Sequence, residues 1–269
     1  MTEEGAMTDD ASPGVLRITR DGGVATVRID RPPANAVDPA MIREFLAELP
    51  PLAADPDVRC IVITGTGRFF VAGADIAVMR DLSAANQAQM RRWIDVQRIL
   101  ERAPKPVVAA LNGHALGGGA ELALACDLRI LSSAGSFGFP EIALGLFPGA
   151  GGSQRLPRLV GPHLAKRLMI SGERLTPDRA LALGLVDHVV DVDAEGFDAA
   201  VAAEAQRLAA RPTVAIGLLK RAVDEGYGLP IEEALVGEEK AVQELTRTAD
   251  AAEGLQAFLD KREAVFVGR

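Results

Sequence analysis

The 269-residue sequence predicts an α/β fold, a largely parallel sheet covered by helices. Three observations predict it. Short runs of β-formers alternate with helical stretches through the first two-thirds of the chain. Glycine clusters stand where strands give way to helices. From Phe197 to Phe266 the pattern is nearly all helical, divided by Pro212 and by Gly226-Tyr227-Gly228-Leu229-Pro230. No sequence repeat recurs at a fixed period.

In chain order, residues 1–13 are polar and acidic and read as a loose tail. Val15–Ile18 and Val24–Ile29 flank Asp21-Gly22-Gly23 and predict a hairpin. Asp38-Pro39 predicts a helix to about Leu49, with Asp38 as N-cap and Pro39 in the first turn. Arg59–Thr64 is apolar enough for a buried strand and ends at Gly65-Thr66-Gly67. Phe69–Ile76 makes a second junction of small residues, and 77–103 is helical in pattern with mixed polarity, suited to line a cleft. Leu128–Ser132 predicts a strand, followed by Phe137–Glu141 and a glycine cluster at Gly149, Gly151 and Gly152. Gln154–Ile170 predicts helix, broken at Pro157 and at Gly161-Pro162. Thr176-Pro177-Asp178 caps a short helix, and Leu185–Val192 predicts a further strand.

The chemistry concentrates in Pro106–Asp127. An apolar run, Val107–Leu111, reads as a buried strand. Gly113 and Gly117-Gly118-Gly119 follow, then an Ala/Leu-rich helix start that carries Glu121 in its first turn. The first N–H groups of a helix lack intrahelical partners, and glycine lets a ligand approach them. Such a loop suits an oxyanion or a phosphate. Neither G-x-x-x-x-G-K-[ST] nor G-x-G-x-x-G is present. A carboxylate beside an anion hole points to proton chemistry on a carbonyl compound. Glu121 taken alone reads equally as a partner for the helix dipole.

Composition excludes several classes. The net charge is -8, which argues against general nucleic-acid or anionic-membrane binding. Cys60 and Cys126 lie in apolar runs and read as core residues. His114, His163 and His188 have no paired ligand spacing, so no metal is expected. No apolar run is long enough to span a membrane, and the N-terminus has neither signal-peptide nor transit-peptide character; a soluble, cytoplasmic protein is expected.

Three segments together resemble a known family. Gly67-Arg68-Phe69-Phe70-Val71-Ala72-Gly73-Ala74-Asp75-Ile76 resembles the first anion-hole segment of the crotonase (enoyl-CoA hydratase) superfamily. Asn112–Leu122 is similar to its second. Phe137–Ile142, continuing through Gly145 to Pro148–Leu156, resembles its second catalytic segment, and Ala257–Arg262 its closing helix. The resemblance covers about residues 15–267. It implies a crotonase-like spiral of stacked ββα units over 14–196 and a C-terminal helical region over 197–269 that forms trimers, commonly paired into hexamers. The unaided pattern gives only a parallel α/β fold with a helical tail.

Carried over residue by residue, the resemblance makes the N–H groups of Ala74 and Gly118 the oxyanion hole for a thioester carbonyl. Glu121 and Glu141 become the catalytic pair holding a water, with the Gly149 N–H also touching that water. Ala34, Ala72, Ala74, Asp75, Ile76 and Lys261 become candidate contacts to coenzyme A, Lys261 from a neighbouring subunit. The implied reaction is reversible hydration of trans-2-enoyl-CoA, with acyl-CoA as substrate and no cofactor. Double-bond isomerases of the superfamily generally keep one glutamate, at the position of Glu141, so the pair favours hydration over 3,2-enoyl-CoA isomerisation. An RNA-binding or non-catalytic CoA-binding role is the alternative of another class.

The sequence departs from the family pattern in places. Phe139 stands where many hydratases carry glutamine, and either reshapes the pocket or simply packs. Ala77 replaces a common lysine, and the region around Val242 lacks an aromatic that often meets the adenine. His114 and Asp75 read as structural, Asp75 as an acceptor that organises its loop. Met90 and Trp93 read first as packing residues, with an acyl-pocket lining as the alternative.

Overall fold

The computed structural model describes residues 14–269, and the expected tail over 1–13 lies outside them. The chain begins with a hairpin, β1 (Leu16–Asp21) and β2 (Val24–Ile29), closed by Gly22 and Gly23, both at positive φ as a tight two-residue turn requires. Helix α1 follows (Pro39–Ala54), the Asp38 carboxylate accepting the Met41 N–H as its N-cap. Next comes a ββα unit of β3 (Cys60–Gly65), β4 (Phe69–Val71) and the helices α2 (Ile76–Met79), α3 (Ala84–Arg91) and α4 (Trp93–Arg102). A second unit is β5 (Val107–Leu111), β6 (His114–Leu116) and α5 (Gly118–Leu124). A third is β7 (Leu128–Ser132), β8 (Ser136–Gly138), a 3₁₀ turn over Pro140–Leu144, α6 (Gly152–Val160) and α7 (Pro162–Ser171). The chain continues through β9 (Arg174–Leu175), α8 (Pro177–Ala182) and β10 (His188–Val190) to four long helices, α9 (Ala194–Ala209), α10 (Thr213–Gly226), α11 (Ile231–Leu245) and α12 (Ala249–Asp260).

Each unit sends its first strand to one sheet and its second to another. The six-stranded sheet has the order β1-β2-β3-β5-β7-β10 and is parallel except for the hairpin. The four-stranded sheet has the order β4-β6-β8-β9, with β9 alone antiparallel. The central strands β3, β5 and β7 are buried on both faces, which is why β3 and β5 read as unbroken apolar runs. Along β3, Ile61 and Ile63 face the main core with Met41 and Phe45 of α1, while Cys60 and Val62 face a second core with Phe197 and Val201 of α9. Both cysteines are buried, and burial pushes their thiols up to about 12, so they act as small core residues.

The structure corrects several expectations. The single sheet becomes two, because β4, β6 and β8 are three-residue strands hidden in segments that read as loops. His114–Leu116 is strand, not part of the glycine loop. Helix α1 passes through Pro50 and Pro51, since Leu49 and Leu52 on either side are buried in the core. Pro157 lies inside α6 rather than breaking it. The strand expected over 185–192 is only β10, and the last helix ends at Asp260. Helix α9 begins at Ala194, so the expected boundary at 196/197 falls inside a helix.

Candidate active site

The three units stack so that their β-to-helix turns open on one side. There they surround a cavity of 460 Å³ with a predominantly apolar lining, within the usual range for a small-molecule site. Ala72, Gly73, Ala74 and Ile76 come from the first turn, Gly117, Gly118 and Glu121 from the second, Glu141, Gly149 and Ala150 from the third.

The first turn is held by an isolated bridge to the loop after the hairpin. The Val37 N–H donates to the Gly73 carbonyl and the Asp75 N–H to the Val37 carbonyl, each at 2.8 Å. In a parallel bridge the residue between those two contacts turns its own N–H the other way. That residue is Ala74. Its N–H donates to no protein acceptor among the described residues. Asp75 caps α2, accepting from the Ala77 and Val78 N–H groups and from Arg31, whose guanidinium beside it holds its carboxyl below the usual range. Asp75 is therefore a loop organiser, as expected, and its carboxylate is fully engaged away from the cavity.

The second turn owes its geometry to its glycines. Gly117 has φ +51° and ψ −119°, a backbone that side chains rarely adopt. Gly119 packs α5 so closely on β4 that a methyl group there would lie 2.2 Å from the Val71 carbonyl oxygen. The Gly118 N–H, like that of Ala74, has no protein acceptor among the described residues. The two groups adjoin: a methyl on Gly118 would stand 3.8 Å from the Ala74 nitrogen.

Glu121 follows on the same helical turn and is buried. Its Oε1 accepts from the N–H groups of Ala150 at 2.8 Å and Gly152 at 2.9 Å. Burial raises its pKa, while these two donors and the nearby Arg155 guanidinium favour the carboxylate. Glu141, on the 3₁₀ turn, rests against Gly117, where a methyl group would lie 3.1 Å from its Oε1. Its Oε2 is buried and has no protein partner among the described residues. Burial, with the neighbouring Glu121 charge, pushes its carboxyl up to about 7. The Gly149 N–H lines the same cavity and donates to no protein acceptor among the described residues.

The structure thus brings Ala74, Gly118, Glu121, Glu141, Gly149, Ala72 and Ile76 to one cavity. Ala34 sits behind it, its carbonyl accepting the Ala72 N–H at 3.1 Å. Lys261, in the left-handed conformation at the end of α12, is not part of this chain's cavity lining. Phe139 is 2% exposed and meets Phe137 edge-on at 5.7 Å; its role is packing, and the pocket-reshaping alternative is set aside. His114 is structural as expected, its Nδ1 2.9 Å from the Ser136 hydroxyl and its ring against Phe69.

Met90 and Trp93, read first as packing, both line the cavity. The sequence reading also missed the grip of Ala150 and Gly152 on Glu121, and Arg155. Arg155 pairs with both oxygens of Glu101 and donates to Gln97 at 2.6 Å and to the Ala150 carbonyl at 3.3 Å. The spacing Gly151-Gly152-x-x-Arg155 was its one signal, placing a guanidinium one helical turn beyond a glycine loop.

Residues 19–269 match the family described as enoyl-CoA hydratase/isomerase. The crotonyl-CoA hydratase of Syntrophomonas wolfei is 41% identical over 255 residues, covering 94% of this chain and 97% of that protein. The short-chain-enoyl-CoA hydratase of Clostridium acetobutylicum is 39% identical, covering 91% and 95%. The crystal structure of an enoyl-CoA hydratase from Bacillus anthracis superposes with a TM-score of 0.89 at 33% identity, over 95% of this chain and all of that one. With two sheets threaded by stacked ββα units and a match along nearly its whole length, the chain belongs to the enoyl-CoA hydratase/isomerase family and has the crotonase fold.

Proposed function

We propose that the chain is a hydro-lyase that adds water reversibly across trans-2-enoyl-CoA to give 3-hydroxyacyl-CoA. The observation that carries this is the pairing of a buried carboxylate, Glu121, and a partly buried one, Glu141, in unlike environments beside two backbone N–H groups that have no protein acceptor among the described residues, all in one cavity. The thioester carbonyl accepts from the Ala74 and Gly118 N–H groups. Water lies between the carboxylates and also accepts from the Gly149 N–H. Glu121, whose Oε1 accepts two backbone N–H groups that favour its carboxylate form, takes a proton as the water oxygen bonds to C3. The C2=C3 electron pair moves toward the carbonyl, and the charge on its oxygen is met by the two N–H groups. Losing one such donor typically raises the barrier by about 3 kcal/mol. The enolate then collapses and C2 takes the proton of Glu141, whose elevated pKa keeps that proton available near neutrality. Return of the proton from Glu121 to Glu141 by way of water resets the pair; atoms then balance with water alone, so the reading requires no cofactor.

The finer contacts belong to the same proposal. The pantetheine and nucleotide of coenzyme A follow the edge formed by Ala34, Ala72, Asp75 and Ile76, and Lys261 reaches them from a neighbouring subunit of a trimer or a pair of trimers. No described helix is long and apolar enough to cross a membrane, and the site of action is taken as the cytoplasm.

The test is hydration of a panel of 2-enoyl-CoA thioesters, short to long, by the wild type and by Glu121→Gln and Glu141→Gln. Each variant should lose roughly 10²–10⁴-fold in kcat. Isomerisation of 3-enoyl-CoA without hydration by the wild type, retained in Glu121→Gln, would replace this reading with that of an isomerase.

A further inference from the structure

The two glycines that present the second oxyanion N–H need restraint. The peptide joining Gly117 to Gly118 carries that N–H, and glycine has the widest backbone freedom of any residue. On one side, the Gly117 N–H is tied to the Gly138 carbonyl at 2.9 Å, which fixes the turn to β8. On the other side, the Trp93 indole N–H donates to the Gly118 carbonyl at 3.1 Å. The functional peptide is suspended between these two anchors.

Trp93 is well placed to hold its end. It opens α4, is 3% exposed and meets Phe45 of α1 edge-on at 5.6 Å, so its ring is fixed by the main core. A methyl group on Gly118 would lie 3.4 Å from the indole nitrogen, which shows how closely the ring follows the peptide. The Gly118 carbonyl also begins the α5 ladder, but a carbonyl has two lone pairs and can serve both donors. An indole N–H that satisfied only itself could reach any nearby carbonyl; this one is spent on the residue whose N–H faces the cavity.

Resting on the hydratase reading above, we infer that Trp93 is a positioning residue for the oxyanion hole, its indole N–H holding the Gly118 carbonyl next to the Gly117–Gly118 peptide so that the Gly118 N–H stays aimed at the thioester carbonyl. It touches no reacting atom. Its loss leaves binding of the acyl-CoA nearly intact and weakens stabilisation of charge on the carbonyl oxygen.

The chain has 1 tryptophan, so biosynthetic replacement of tryptophan by 3-benzothienylalanine changes this one side chain, exchanging the N–H for sulfur at almost constant shape. Trp93→Phe is the genetically encoded counterpart, keeping an aromatic ring against Phe45. Two readouts are made. The first is kcat and KM for 2-enoyl-CoA hydration. The second is the red shift in the absorption of a bound aryl-conjugated 2-enoyl-CoA, which reports polarisation of the carbonyl and needs no turnover. The expected result is a fall in kcat of about three- to tenfold, the worth of one hydrogen bond, with KM within about twofold and a clearly smaller red shift. Unchanged kcat and red shift in the benzothienyl protein overturn the inference. A fall in kcat with the full red shift retained overturns it too, because the loss then comes from the cavity wall. If the wild type polarises the thioester but hydrates nothing, the hydratase reading fails and the red shift alone decides the role of Trp93. Binding by the wild type without any red shift sinks both.

Discussion

Glu121 and Glu141 share one ordinary ionisation range and one cavity, and the backbone around each tells them apart. Glu121 accepts two N–H groups, whereas the buried Oε2 of Glu141 meets no protein donor among the described residues. Those donors favour the ionised form of Glu121, and the proton that hydration delivers is assigned to Glu141, though the titration belongs to the pair. Hydration needs that proton, so its kcat should fall as pH rises through about 7, and dehydration of 3-hydroxyacyl-CoA should show the opposite limb; pH profiles in both directions check this. The same shift affects stability. A carboxyl whose folded pKa is raised destabilises the fold only once it ionises, so the cost is absent below the unfolded value of 4.5 and complete above about 7. Glu141→Gln should consequently stabilise the fold at pH 8 by on the order of 2 kcal/mol after discounting for its partial exposure, seen as a higher melting temperature. That gain should vanish near pH 4, while hydration is lost throughout. A variant that is inactive and more stable is the mark of a strained functional site, and thermal scans at the two pH values measure it.

At the scale of elements, the Gly149–Gly152 loop is clamped from both sides. Glu121 takes two of its N–H groups, and Arg155 takes the Ala150 carbonyl while anchored to Glu101 of α4 and to buried Gln97. Removing the guanidinium in Arg155→Gln should raise the Glu121 pKa further, moving the acidic limb of kcat/KM to higher pH. Arg155→Lys keeps the charge and should leave that limb in place while lowering kcat; the two pH profiles separate charge from geometry. Lys105 plays a comparable part for α1. Buried at 3% exposure, its ammonium donates to the carbonyls of Leu52, Asp55 and Val58 at the helix end, which helps the helix continue past its prolines. Lys105→Met should destabilise the fold by roughly 1–3 kcal/mol, read from denaturant unfolding, since those carbonyls lose a buried donor. These elements also mark what the sequence could and could not convey. Long strands and capped helices were legible because burial on two faces leaves unbroken apolar runs, as at Val107–Leu111, and because Asp38 and Thr176 cap through local bonds. The strands β4, β6 and β8 were not, for three residues cannot display a period, and their pairing partners lie far along the chain. The glutamates were legible through the family motifs. The Arg155 clamp and the Trp93 contact were not, because each depends on α4 crossing segments that only the folded spiral brings to it.

The whole molecule leaves an apolar surface that one chain does not cover. On α12, Ala257 is buried while Leu255 at 71%, Phe258 at 82% and Leu259 at 73% lie on the opposite side, spaced as one helical face. Tyr227, Ile231, Val236 and Val242 are likewise exposed along α10 to α11. Exposed apolar helix faces of this kind are where the proposed subunit contacts would form. The net charge of -8 works against casual association, which leaves shape-specific burial of these helices as the driving force. The end of α12 bears Lys261, which does not line its own cavity; in the trimer proposed above that lysine would reach a neighbour's coenzyme A. Placing charge on the exposed face, as in Phe258→Asp, should convert a trimer or hexamer into monomer in light scattering, because a carboxylate cannot be desolvated there without a partner. Lys261→Ala should leave the assembly whole and raise KM for acyl-CoA by several-fold with kcat nearly unchanged, the signature of lost uniform binding. If the charged variant remains trimeric, the contact lies on another face; if Lys261→Ala leaves KM untouched, the lysine is merely solvated and the nucleotide is held within a single subunit.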